Sequence, residues 1–468
     1  MPNSQVGVDG RFYIESGRHR SMDRKSRLSL SVSEEAIRET CGETPFPEMG
    51  VVEQVWETDP IPESEIESRA GEAFEALSLE DLPEDSEIAI GVGSRGIANL
   101  PAIVSGVVGR ATELGYDPFV FPAMGSHGGA TAAGQRGMLA DLGVTESSIG
   151  CEIRSSMEVT EVGRTADRNV PVVADANAAA ADAIVPINRI KPHTDFDGAV
   201  ESGLSKMLVI GVGKQRGAKI AHDWAVDWSL RDMLPEIAAQ LLEELPVAGG
   251  VAILEDQHDD TARLEGIRPE GFLDRERELL ETAYEIMPKI PFEELDVLVL
   301  DRQGKDISGQ GMDTNVIGRR PFAIQEPEPE TPDIRRIYTR SLTETTHGNA
   351  MGMGSADFVH EDLLAEVEMS STLINALTAS TTRGVRIPPT VETDRAGLIA
   401  SLSTVGIVDP ESVRVLRATD TMRLDRFYAS SALVAEARDR SDLRVIEEPS
   451  PIEFDGGAFV AETPHDLG

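Results

Sequence analysis

"DSEIAIGVGSRGIANLPAIVSGVVGRATELG", Asp85 to Gly115, opens with a short β-rich run and passes through glycines. It continues with apolar residues at helical spacing. This pattern predicts strand, loop and helix. The same alternation returns in "PFVFPAMGSHGG" (118–129) followed by "ATAAGQRGMLADLG" (130–143), in "ADAIVPINRI" (181–190), and in the strand-like "KMLVIGVG" (206–213) with a helix from about Lys214 to Trp228. Repeated units of this kind imply a mostly parallel, Rossmann-like sheet with helices on both faces. Ligands of such sheets sit beyond the carboxyl ends of the strands, where loops and helix N-termini converge. Arg95, His127 and His193 each fall just after a strand-like run.

A second α/β block is expected from near Gly271. There the charged helix "EGFLDRERELLETAYEIM" leads into the strand "LDVLVLD" and the loop "RQGKDISGQGMDTNVIGRR" (302–320). The predicted organisation is a flexible extension at 1–45, a first α/β domain at 46–270, a second at 271–450 and a loose tail at 451–468, with the active site between the two domains.

Composition bounds the partners. The 468 residues carry 82 Asp and Glu against 43 Lys and Arg, a formal charge of −39 spread along the chain. Nucleic acid and anionic membranes are therefore not expected partners. Distributed carboxylates, seven lysines against thirty-six arginines, and 4% aromatic residues fit a halophilic surface in a concentrated-salt cytoplasm. Cys41 and Cys151 are too few for a disulfide framework or a Cys-ligated metal. No apolar run approaches the roughly 18 residues of a membrane span, and the opening residues show no hydrophobic signal region, so the expected location is cytoplasmic.

Lysine and histidine are unevenly placed. Lys191, Lys206, Lys214 and Lys219 fall within "RIKPHTDFDGAVESGLSKMLVIGVGKQRGAKIAH" (189–222), although arginine serves the rest of the chain. Lysine alone offers a compact ammonium or an amine able to form a covalent bond. At a predicted helix start, Lys214 suits phosphate contact. Lys206, after "ESGLS" and before an apolar run, is set for partial burial, which favours the nucleophilic amine. His127, His193 and His222 lie among glycines and other special residues. Three imidazoles at one sheet edge suit either a His₃ zinc site or general acid and base work near neutral pH. "GVGSRG" is not a dinucleotide fingerprint, but its glycines admit close backbone approach and Arg95 can fork onto a carboxylate or phosphate.

Over roughly residues 86–320, these motifs resemble the LarA family, the nickel-pincer nucleotide-dependent lactate racemases and related 2-hydroxyacid racemases and epimerases. The resemblance is most specific across residues 191–222. It implies that Lys206 is joined covalently to the cofactor, a nickel pyridinium bis-thiocarboxylate mononucleotide, and that His222, sixteen residues on, ligates the nickel. It further implies that Arg95 binds the substrate carboxylate, and that His127 and His193 are the catalytic acid/base pair. Gly128 stands where the family commonly has arginine, and His193 precedes Lys206 by thirteen residues, a wider spacing than the family's. Lys305 and Gln310 fit second-domain substrate contacts by type alone. The implied partners are a small 2-hydroxy acid and, transiently, the proteins that make the cofactor. Two alternatives stay open: a His-ligated divalent-metal hydrolase and a non-catalytic cofactor-binding homologue.

Overall fold

The computed structural model describes residues 30–42, 44–93, 96–320, 327–378, 381–407 and 409–466. The opening stretch folds as strand Glu87–Val92 and helix Leu100–Glu113. Ile88, Ile90 and Val92 enter one apolar core, while Ala89 enters another on the opposite face. Burial on both faces is what a parallel sheet covered by helices requires. Six strands form this sheet, in the order Thr261–Ile267, Gly250–Glu255, Ala183–Arg189, Glu87–Val92, Asp117–Pro122 and Glu152–Ile153. All neighbours are parallel except the first pair.

A second sheet of nine strands is built around Glu294–Gln303, which lies parallel to both Asp333–Leu342 and Val415–Ala418. Thus the molecule is α/β with two sheet-centred halves, each with its own apolar clusters.

Chain order and spatial membership differ at the ends of each half. Met49–Gln54, expected in the first domain, is a strand of the nine-stranded sheet between Arg426–Ser430 and Leu443–Ser450. Ser31–Val32 pairs with Thr390–Val391, and Glu34–Cys41 is a capped helix, so the described part of the expected flexible extension is ordered secondary structure. The partners of these short strands are remote in sequence, and local composition cannot reveal them. Conversely, the helix Phe272–Ile286, expected to begin the second domain, buries Phe272, Leu279, Leu280 and Ala283 in the core of the six-stranded half. The expected loose tail forms the pair Phe454–Asp455 and Ala458–Phe459. It is tied down where Phe459 N–H donates to Asp394 at 3.0 Å and Arg417 donates to the Ala461 carbonyl at 3.1 Å.

The strand expected at "KMLVIGVG" is helical. Leu204–Lys206 begins a helical run, Met207–Val212 continues it as a wide π-turn, and Lys214–Trp228 extends it. Met207, Leu208, Val209 and Val212 are all buried. A short apolar run carries no periodicity that separates a buried helix from a strand.

Candidate functional site

Lys214, at φ +54°, interrupts the helical run from Leu204 to Trp228; Lys206 and His222 ride on its two neighbouring segments, and both line a cleft of about 730 Å³. His127 and His193 line the same cleft. Its opposite wall comes from the nine-stranded half, through Lys305, Gln310, Met351 and Asn375. Four of the five site residues singled out in the sequence are therefore brought together. The fifth, Arg95, lies outside the described residues.

His193 follows the strand Ala183–Arg189 and is buried, with its ring 4.6 Å from that of Phe196. Its Nδ1 accepts the Asp195 backbone N–H at 3.0 Å, which places the ring proton of the neutral imidazole on Nε2. Nε2 meets Lys206 Nζ directly. This contact sets the lysine amine against the imidazole within the cleft. Glu201 fixes the loop by accepting the backbone N–H of His193 at 2.6 Å and of Gly198 at 3.0 Å. Burial pushes the Glu201 carboxyl up to about 7 against the opposing pull of those donors.

Burial also holds the His222 imidazole below its ordinary pKa, and the Lys206 ammonium, when protonated, pushes the same way against Asp195 and Asp223. A neutral imidazole is the form that ligates a metal.

His127 stands at the start of the short 3₁₀ turn Gly128–Ala130, beyond the strand Asp117–Pro122. Gly128 has φ +64°, and a Cβ there would lie 2.5 Å from the Gln135 backbone nitrogen. No side chain fits, which explains in this chain's own geometry why arginine is absent after His127. Gln135 donates to the Gly125 carbonyl at 2.9 Å, and its own Oε1 accepts from Lys214 at 3.3 Å. Lys214 is fully buried, paired with Asp175 at 2.9 Å and hydrogen-bonded to the Pro122 carbonyl at 2.5 Å. It is a strut beneath the His127 loop, not the expected phosphate contact. Lys219 is exposed and pairs with Asp223 on its own helix at 2.8 Å.

The two halves meet at the His193 loop. Gln310 Nε2 donates to Asp195 at 2.7 Å, Asn315 Nδ2 to the His193 carbonyl at 3.1 Å, and Thr314 Oγ1 to the Thr194 carbonyl. Gln310 thus supports the loop in addition to lining the cleft. Among the described residues, the formally charged ones of the cleft wall are Lys191, Lys206 and Lys305 against Asp195, together with Arg189, which is ion-paired with Glu255 and Asp259. In a chain of charge −39 this is a local cationic pocket, suited to a small anion.

Among the described residues, no group of three His, Cys, Asp or Glu side chains is placed to hold one metal ion, so the three histidines do not form the His₃ zinc arrangement. A cofactor that carries its own metal donors needs only one ligand from the protein. His222 fits that requirement beside an amine that can hold the cofactor covalently.

Asp195 and Glu201 on the His193 loop, Tyr284, which donates to Glu201 at 3.1 Å, and Glu276, which accepts the Ser205 backbone N–H at 3.0 Å, support the site but were not singled out by sequence. Their carboxylates and hydroxyl belong to an acidic background in which no one acid stands out, and only tertiary pairing distinguishes them.

No family model matches the chain, and no curated protein matches it. Among solved structures, it is similar to a protein from Thermotoga maritima, with 14% identity, a TM-score of 0.44, and coverage of 77% of this chain and 94% of that one. It is also similar to the lactate racemase apoprotein from Thermoanaerobacterium thermosaccharolyticum, with 11% identity, a TM-score of 0.42, and coverage of 80% and 89%. No described helix is long and apolar enough to cross a membrane.

Proposed function

We propose that this protein is a cytoplasmic racemase or epimerase of a 2-hydroxy acid, using a nickel-pincer nucleotide held through Lys206 and His222. The supporting observation is the convergence of His127, His193, Lys206 and His222 on one cationic cleft, with Lys206 in contact with His193. When bound, the cofactor would supply a hydride acceptor for the hydrogen on C2 of the substrate. Removing the α-hydrogen as a proton is difficult because it is weakly acidic. Its transfer as hydride, with loss of the hydroxyl proton, leaves a flat 2-oxo acid that can be reduced from either face.

The chain's own residues do the rest. Arg95, with Lys191 and Lys305 of the cleft wall, would hold the carboxylate. His127 and His193 take and return the hydroxyl proton, one for each hand of the substrate, because the hydroxyls of the two enantiomers point to different sides. His193 Nδ1 accepts the Asp195 backbone N–H in this structure. For Nε2 to take the hydroxyl proton, the ring proton would have to sit on Nδ1 with that hydrogen bond given up, and the imidazolium so formed would return the proton from Nε2. The Lys206 amine is the covalent anchor, and it stands in contact with His193. Loading would require transient contact with the proteins that synthesise the cofactor.

The test is racemisation of a panel of 2-hydroxy acids labelled with deuterium at C2, run in ordinary water. Label retained in the inverted product supports hydride transfer. Complete washout to solvent would refute it in favour of α-proton abstraction.

A further inference from the structure

Glu276 is buried to 1% exposure on the otherwise charged helix Phe272–Ile286, and its carboxylate points away from water into the turn that carries Lys206. Oε2 accepts Ser205 Oγ at 2.5 Å and the Ser205 backbone N–H at 3.0 Å. The Leu204 backbone N–H is a further donor to it. These are N–H groups of a first helical turn, which have no partner within their own helix and are ordinarily met by a side chain at the preceding residue. Here the preceding residue is Gly203, which has no side chain to offer. A Cβ at Gly203 would collide with Glu276 Oε1, so the remote cap and a local one exclude each other. Asn188 Nδ2 holds the Gly203 carbonyl at 2.8 Å from the other side.

The same helix reaches the other half of the lysine–histidine pair. Tyr284 donates its hydroxyl to Asp197 at 3.0 Å or Glu201 at 3.1 Å, and Glu201 accepts the His193 backbone N–H. One rigid element therefore fixes both the Lys206 turn and the His193 loop. Burying a carboxyl without water is costly unless its acceptors are used, and those of Glu276 are used on the Lys206 turn.

We infer that Glu276 is a positioning residue for Lys206: acting from the Phe272–Ile286 helix, it caps the Gly203–Lys206 turn and fixes where the lysine amine stands in the cleft. The inference rests on Lys206 being the functional lysine of the proposed reaction, but its test does not require a loaded cofactor.

The experiment is reductive methylation of the full-length, cofactor-free chain with formaldehyde and cyanoborohydride. Peptide mass mapping gives the ratio of modification at Lys206 to that at Lys305. Lys305 lines the same cleft from the nine-stranded half, away from the Gly203 turn, so it is an internal reference that also registers any loosening of the fold. Loss of a cap changes the population of a turn about fivefold, and the ratio should fall by about that factor in Glu276→Gln, which keeps the shape but places an NH₂ group against N–H donors. Glu276→Ala should show at least the same fall. Leu279→Ala, which removes buried volume from the same helix, should leave the ratio as in the parent. An unchanged ratio in Glu276→Gln, or an equal fall in Leu279→Ala, overturns the inference. Absence of a cofactor adduct at Lys206 in the native protein would overturn the proposed function and leave this result standing.

Discussion

Lys206 and Lys214 stand eight residues apart in one lysine-rich stretch, yet the protein uses them in opposite ways. Lys206 lines the cleft and meets an imidazole nitrogen. Lys214 is sealed from water, paired with Asp175, and held at φ +54°, a backbone conformation that side chains seldom adopt. On the proposed reading one amine anchors the cofactor, and the other ties the His127 loop to the sheet. The two lysines share one lysine-rich stretch, and what the fold packs against each sets its surroundings.

The largest effect should come from Lys206→Arg, which preserves charge and removes the reactive amine. Racemisation should be abolished, as measured by chiral separation of the products, while thermal stability stays near that of the parent. His127→Ala and His193→Ala should each stop net racemisation through a loss of about 10²- to 10⁴-fold in one proton transfer. Rapid mixing with single enantiomers should show opposite surviving half-reactions in the two variants. Equal losses for both hands in both variants would contradict a division of labour between the two histidines.

Lys214→Met should act on folding. Removing one partner of a buried ion pair costs about 3 to 5 kcal/mol, because Asp175 is left charged and unpaired. Denaturant unfolding should show the loss, and the folded fraction should still carry its adduct at Lys206. A stable, adduct-free Lys214→Met protein would reverse the roles assigned to the two lysines.

How far these roles were legible in the sequence varies with the range of the interaction. The alternation from Glu87 to Trp228 gave the parallel sheet, and strand ends located His127 and His193, because those signals are local. The helical state of Met207–Val212 was not legible, since a short apolar run suits either a strand or a buried helix. Nor was the placement of Met49–Gln54 in the distant sheet, or of the Phe272–Ile286 helix on the first core, since both depend on partners far along the chain. Glu276 and Glu201 were invisible for a further reason: they are two acids among 82 Asp and Glu residues, and only burial sets them apart.

That burial has a pH signature. The Glu276 carboxyl is pushed up to about 7 by desolvation, against the hydrogen bonds from Ser205 and Leu204. Between its unfolded pKa of about 4.3 and about 7, the native state binds more of this proton than the unfolded state does. Its contribution to stability is therefore fully present below the unfolded value and is lost as pH rises through the folded one. In Glu276→Gln this component vanishes, so the unfolding midpoint should fall less steeply with pH over about 5 to 7 than in the parent, as followed by denaturant titration at fixed salt. Identical slopes would place the Glu276 pKa near its ordinary value.

The smallest change per charge concerns the whole surface. With −39 formal charges, the thermal midpoint should rise between about 0.1 and 3 M KCl, where the Debye length shrinks from about 10 Å to under 3 Å. The parent and Lys214→Met should rise in parallel, because a buried pair is screened far less than surface charge. A flat midpoint would show that the acidity is not an adaptation to salt.

The contrast between the two lysines is tested most directly by peptide mass mapping of the protein purified from its own host, with nickel measured in the same preparation. The expected result is a nucleotide-sized adduct confined to the peptide carrying Lys206, lost together with nickel in Lys206→Arg, while Lys214 is unmodified. A preparation that racemises its substrate with Lys206 unmodified, or an adduct that persists in Lys206→Arg, would contradict the assignment.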